Sequence, residues 1–217
     1  MPNIDFWRPA DGNETSAAYY SALTRRQTPS ILSLSRQNLP NLEGSTIERA
    51  LKGGYVVHEV QGEDLTIVST GSEVSIALEA AVKLNSEGVK TRVVSLPCWS
   101  IFDLQPAEYK LSVLRSGAPI LSVEALSVSL LRSCFCVWSV AHGSVIAFNR
   151  LWAGRSTATR CVASRHPCHS GTVLTPLLQA FGLTGWGASG PYKKVYEKFG
   201  LTGPSTSSVF SPWLDQG

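Results

Sequence analysis

The sequence predicts an α/β fold: an open, mostly parallel twisted sheet with helices on both faces, preceded by a partial α/β domain. Two observations carry that expectation. Three short apolar runs, Leu65–Ser69, Thr91–Ser95 and Ile120–Val123, read as strands. Between the first two, Val74, Ala77, Leu78, Ala81 and Leu84 recur at the 3.6-residue spacing of a buried helical face. With a second short helix at Pro106–Ser112, the order is strand, helix, strand, helix, strand, which implies a parallel sheet joined by right-handed crossovers.

The elements follow in chain order. Pro9-Ala10-Asp11-Gly12-Asn13 reads as a turn, and Asn13 or Thr15 suits the cap of a helix over Glu14–Thr24. Pro29 introduces a short apolar strand, Ser30–Ser35. Pro40–Gly54 reads as a loop with one short helical turn, linking two subdomains. Gly71-Ser72 closes the Leu65–Ser69 strand and opens a helix over Glu73–Ser86, with Gly88 as its stop. Gly187–Pro191 is a turn, Tyr192–Phe199 an amphipathic helix, and Ser205–Gly217 a Ser-rich tail without pattern.

The chain has 217 residues, enough for one or two α/β units with a real core. No apolar run reaches membrane-span length, and the start, Met1-Pro2-Asn3-Ile4-Asp5, lacks a basic-then-apolar signal region. The expectation is a cytoplasmic protein with no membrane partner. The net charge of +3 resides in one place: residues 127–179 hold five Arg and no Lys, Asp or Glu. The remainder carries 14 basic and 16 acidic residues, net −2, which argues against nucleic acid as a partner.

Arg36 stands just past the end of the strand that Pro29 introduces, at the carboxyl edge where open α/β sheets place ligands. Its planar guanidinium suits a phosphate, to which it can donate two parallel hydrogen bonds. An ion pair with a nearby carboxylate is the structural alternative. His58, before a strand and without partners in sequence, reads as a solvated surface residue. Cys98, with nothing basic beside it, reads as a buried structural thiol. The Thr70–Glu73 helix start offers free N–H groups to an anion or, more simply, a cap.

Two segments carry a family resemblance. Trp7–Glu14 (Trp-Arg-Pro-Ala-Asp-Gly-Asn-Glu) and Leu34–Pro40 (Leu-Ser-Arg-Gln-Asn-Leu-Pro) resemble transketolase. The likeness continues through Gly53-Gly54-Tyr55, Ser69–Val74, Arg92–Pro97, Phe102-Asp103 and Glu108–Leu114, and resumes at Phe181-Gly182 and Gly187–Tyr192. It covers about residues 1–126 and 180–203 in order.

The resemblance implies that residues 1–50 are the end of a pyrimidine-binding domain, and that 54–126 with 180–203 are the carboxy-terminal domain. It further implies two-carbon ketol transfer between sugar phosphates in the pentose phosphate pathway, by a homodimer using thiamine diphosphate and Mg²⁺. The family's cofactor-anchoring motif, its pyrimidine-contacting Glu and its proton-transferring His residues have no counterpart here. No catalytic, cofactor or metal residue is therefore assigned. Arg36 alone matches a family functional position, the grip on the sugar phosphate, which orients substrate without performing bond chemistry. The chain is accordingly expected to be inactive on its own and to bind no cofactor alone. The rival reading is a truncated, non-catalytic paralogue that associates with full-length transketolase.

Residues 127–179 break the pattern. They hold four of the five Cys, three of the four His and eight Ser. Cys134 and Cys136, with Cys161, His166, Cys168 and His169, supply soft metal ligands, but the spacing is not a standard zinc arrangement. The dispersed Arg residues lack aromatic platforms for RNA. The favoured reading is a non-native insertion, a translated intron or shifted frame. Transketolases typically carry Gly-Trp-Glu-Lys-Tyr-Ser-His in this stretch. The codons TGG GCT GGG AGA AGT ACA GCC ACN for Trp152–Thr159 yield that peptide when read two nucleotides later. A real, lineage-specific insertion is the alternative.

Overall fold

The computed structural model describes residues 3–115, 119–127, 158–159, 178–183 and 188–208. The Cys and His residues of the metal reading lie outside these, as do residues 209–217.

Strand β1 (Asp5–Trp7) and strand β2 (Ser30–Leu32) pair in parallel across helix α1 (Gly12–Thr24). Helix α2 (Ile47–Ala50) leads to β3 (Tyr55–His58), β4 (Leu65–Ser69), α3 (Glu73–Ser86), β5 (Thr91–Ser95), α4 (Trp99–Asp103), α5 (Ala107–Val113) and β6 (Ile120–Ser127). There follow β7 (Ala158–Thr159), β8 (Leu178–Leu183), α6 (Tyr192–Phe199) and α7 (Gly203–Ser208). The main sheet runs β3-β5-β4-β6-β8-β7. Its four central strands are parallel, and β3 and β7 are antiparallel edges.

Strands β4 and β5 are buried at every position, as expected where helices cover both faces. Their side chains alternate between two cores. Ile67, Val93, Leu121 and Val123 pack with Ala77, Leu84 and Leu201 on the α3 side. Val68, Val94 and Ile120 pack with Leu96, Phe102 and Leu114 on the α4–α5 side. The predicted fold class therefore holds, with its antiparallel edges as an addition.

Several elements differ from expectation, each for a physical reason. The cap of α1 is Asp11, whose Oδ1 accepts the Glu14 N–H at 2.9 Å. Thr15 donates its hydroxyl to the Asp11 carbonyl, and the Asn13 amide donates to Ser45 O, so neither is the cap. The other Asp11 oxygen accepts the Leu42 N–H at 3.2 Å. Replacing Asp11 by Ala is expected to lower stability by about 1–2 kcal/mol, read as a shift in urea midpoint. Strand β2 stops at Leu32, because its partner β1 ends at Trp7 and Arg8 N–H turns away to Pro97 O at 2.8 Å. Strand β6 runs on to Ser127 because β8 accompanies it that far. His58 lies within β3, half-buried, with its Nε2 3.3 Å from the Asn85 amide; it is not a solvated loop residue. Ser205–Ser208, read as unpatterned, belong to α7. That helix sits so close to α3 that a Cβ at Gly203 would lie 2.8 Å from Glu79 Cβ.

Candidate functional site

Arg36 is exposed, four residues beyond the end of β2, and makes no ion pair among the described residues. The carboxylate-paired alternative thus finds no partner here. The segment around it is sparsely bonded. Ser33 N–H donates to Trp7 O at 2.8 Å on one side, and Leu42 N–H to Asp11 on the other.

The main sheet has its own ligand position. From β4 the chain steps to β5 on one side and to β6 on the other, so the topology switches at β4. Crevices beyond the carboxyl ends of strands at such a point are where open α/β sheets bind ligands. In this molecule the amino-terminal segment fills it. Gly71 N–H, just past β4, donates to Arg8 O at 3.0 Å, and the Arg8 side chain enters the crevice. There its guanidinium meets Glu124 of β6, Glu73 at the start of α3 (3.0 Å) and the Thr70 hydroxyl (2.6 Å). Thr70 also donates to Glu124 at 3.0 Å. The Tyr196 hydroxyl closes the group, 2.9 Å from Ser72 Oγ and 3.3 Å from Glu73.

Burial raises the Glu124 carboxyl to about 7; Arg8 pulls it down and the Glu73 charge pushes it up. Burial also pulls Arg8 down, but the two carboxylates outweigh it and leave its pKa above the ordinary value. The α3 start thus holds the protein's own Glu73 and Arg8, and the anion reading of Thr70–Glu73 is replaced by this internal ion cluster.

A second buried carboxyl, Glu14, joins the same two units. It accepts hydrogen bonds from Ala10 N–H (2.6 Å), Tyr55 (2.7 Å) and Ser95 (2.7 Å). Burial raises its pKa, against the lowering effect of those donors. Cys98 is fully buried against Trp7 and Ile101, and burial pushes its thiol up, the opposite of an activated nucleophile.

Sequence reasoning singled out Arg36 and missed Arg8, Glu14, Glu124 and Tyr196. The available signals were a charge inside the apolar run Ile120–Leu126 and the charges Arg8 and Glu14 within the Trp7–Glu14 motif. None of these residues forms a metal site: no three His, Cys, Asp or Glu side chains cluster as ligands among the described residues. Glu73 and Glu124 are already bound to Arg8. The described residues therefore offer no ligand set for the metal that would anchor a thiamine diphosphate.

Comparison with known proteins gives a consistent family. The transketolase-like TK C-terminal domain model matches residues 53–150. A probable transketolase of Schizosaccharomyces pombe is 48% identical over 203 residues, 93% of this chain and 24% of that protein. Transketolase 2 of Saccharomyces cerevisiae is 59% identical over 130 residues, 59% of this chain and 19% of that protein. Among solved structures, the Pichia stipitis transketolase complex with sedoheptulose-7-phosphate superposes with a TM-score of 0.71 at 42% identity, covering 95% of this chain and 24% of that one. The chain spans about a quarter of the length of the relatives it matches over most of its own residues. By these matches the chain belongs to the transketolase family, and the part of it present includes that family's carboxy-terminal domain.

Proposed function

We propose that this chain is the carboxy-terminal part of a transketolase whose contribution to the reaction is the phosphate grip of Arg36. The observation that carries the reading is Arg36 itself: an exposed guanidinium past the carboxyl end of a parallel strand, without a carboxylate partner among the described residues, inside Leu-Ser-Arg-Gln-Asn-Leu-Pro. The printed name of the Pichia stipitis complex, with a sugar phosphate bound, supports the ligand class.

In this reading residues 1–50 close a pyrimidine-binding domain, and residues 54–126 with 180–203 form the carboxy-terminal domain, interrupted by residues 127–179. The complete enzyme would use thiamine diphosphate and Mg²⁺ as a cytoplasmic homodimer. The cofactor would supply the carbon nucleophile that carries the ketol unit, and this chain would bind and orient the phosphorylated sugar. No described helix is long and apolar enough to cross a membrane. Phe6, Ile31, Tyr19, Tyr20 and Leu23, exposed on β1, β2 and α1, form the face that the rest of the pyrimidine-binding domain or a full-length transketolase partner would cover.

The purified chain, given thiamine diphosphate, Mg²⁺, a ketose phosphate and an aldose phosphate, is expected to show no ketol transfer. Measurable turnover would overturn the claim that it is catalytically incomplete. Sedoheptulose 7-phosphate titrated into the chain is expected to bind weakly. Arg36→Ala should weaken that binding about 10- to 100-fold, the range of a hydrogen bond to a charged group. Equal binding of the unphosphorylated sugar would sink the phosphate assignment.

A further inference from the structure

The segment that carries Arg36 has little to hold it. Between Ser33 and Leu42, the one hydrogen bond among the described residues is that from the Gln37 side-chain amide to the Tyr196 hydroxyl, at 3.5 Å. Packing does not replace the missing bonds. Leu39 and Pro40 face Ile76 and Glu79 of α3 and Lys193 of α6 across a cavity of about 290 Å³. This cavity is open to water, so the segment makes fewer of the close contacts that would otherwise fix it.

Tyr196, by contrast, is well fixed. Its ring packs against the α3-side core and meets Tyr192 edge-on at 6.0 Å. Its hydroxyl is bound to Ser72 and Glu73, and Glu73 to Arg8. A continuous hydrogen-bonded path therefore leads from the filled crevice through Tyr196 to the residue next to Arg36.

We propose that Tyr196 is a positioning residue: through Gln37 it holds the Arg36 segment at the edge of β2, so that the carboxy-terminal domain sets the geometry of the phosphate grip. This rests on the reading of Arg36 as the phosphate contact. Tyr196 touches no substrate in this account. It removes freedom from the segment before the ligand arrives, and affinity rises because less ordering is left for binding to complete.

The test uses the full 217-residue chain and sedoheptulose 7-phosphate. Tyr196→Phe and, separately, Gln37→Leu are each expected to weaken binding about two- to tenfold, the range of one neutral hydrogen bond, and the double variant no further. In an Arg36→Ala background, Tyr196→Phe should change nothing, an outcome a general structural role would not give. Backbone order parameters at Gln37, Asn38 and Leu39 should fall in both single variants, and in Gln37→Leu the melting temperature should stay near the parent's. If Arg36→Ala weakens binding and Tyr196→Phe does not, the positioning role is wrong and the phosphate grip stands. If Arg36→Ala has no effect, or the parent does not bind, the phosphate grip fails and takes this role with it. Unchanged order parameters in both variants overturn the tether itself.

Discussion

Replacing Arg8 by Leu is expected to destabilise the chain by about 3–5 kcal/mol at pH 8. The substitution leaves Glu73 and Glu124, both nearly inaccessible to water, facing each other without their shared cation. The pH dependence identifies the cause. In the parent, the Glu124 carboxyl sits at about 7 against an ordinary 4.5. A raised acid favours the protonated folded state, so its contribution is fully present below about 4.5 and is lost as pH climbs through about 7. Arg8 is the group holding that value down; without it the carboxyl rises further and charging it costs more. The difference between Arg8→Leu and parent should therefore be small near pH 5 and grow steadily to pH 8, measured by urea unfolding at each pH. A difference independent of pH would mean that Arg8 acts by packing and not by charge.

Gly53→Ala is expected to cost about 2–5 kcal/mol, combining a left-handed backbone penalty with overpacking. Gly53 has φ +81°, and a Cβ there would lie 2.5 Å from both Cys98 O and Phe102 N. These are backbone atoms of the α4 start, which cannot swing aside as a side-chain tip can. The displacement would spread to Trp7 of β1, which packs with Ile101. Gly88→Ala provides the control. Its φ is +90°, with nothing within 4 Å of the added carbon, so only the conformational part, about 1–2 kcal/mol, should appear. Equal losses at the two sites would show that the close approach at Gly53 is relieved by a small shift of α4.

The two predictions also mark where sequence reading succeeds and stops. Strands β4 and β5 and helices α3 and α6 are bounded as expected, the strands because each is a compact run between turn residues and the helices because each is long enough for a period to repeat. Strands β1 and β3, of three and four residues, give no period, and their existence depends on partners distant in sequence. Helix α7, Gly-Pro-Ser-Thr-Ser-Ser, contradicts local propensity and forms against α3, an interaction no window of sequence contains. The site divides similarly. Arg36, the proposed phosphate contact, was singled out through its motif and its place after a strand. Arg8 and Glu124 were not, since residues 116 apart share no spacing rule. Asp11 in place of Asn13 or Thr15 shows the remaining ambiguity of a turn holding several capping residues in a row.

That 116-residue separation has a consequence in time. A ribosome adding about 5–20 residues per second takes roughly 6–23 seconds to travel from Arg8 to Glu124. Early in that interval β1 and α1 are complete, while the carboxylate that binds Arg8 has yet to be made. Over that period Phe6, Tyr19, Tyr20 and Leu23, outward even in the finished fold, belong to a segment that lacks the ion pair joining it to β6.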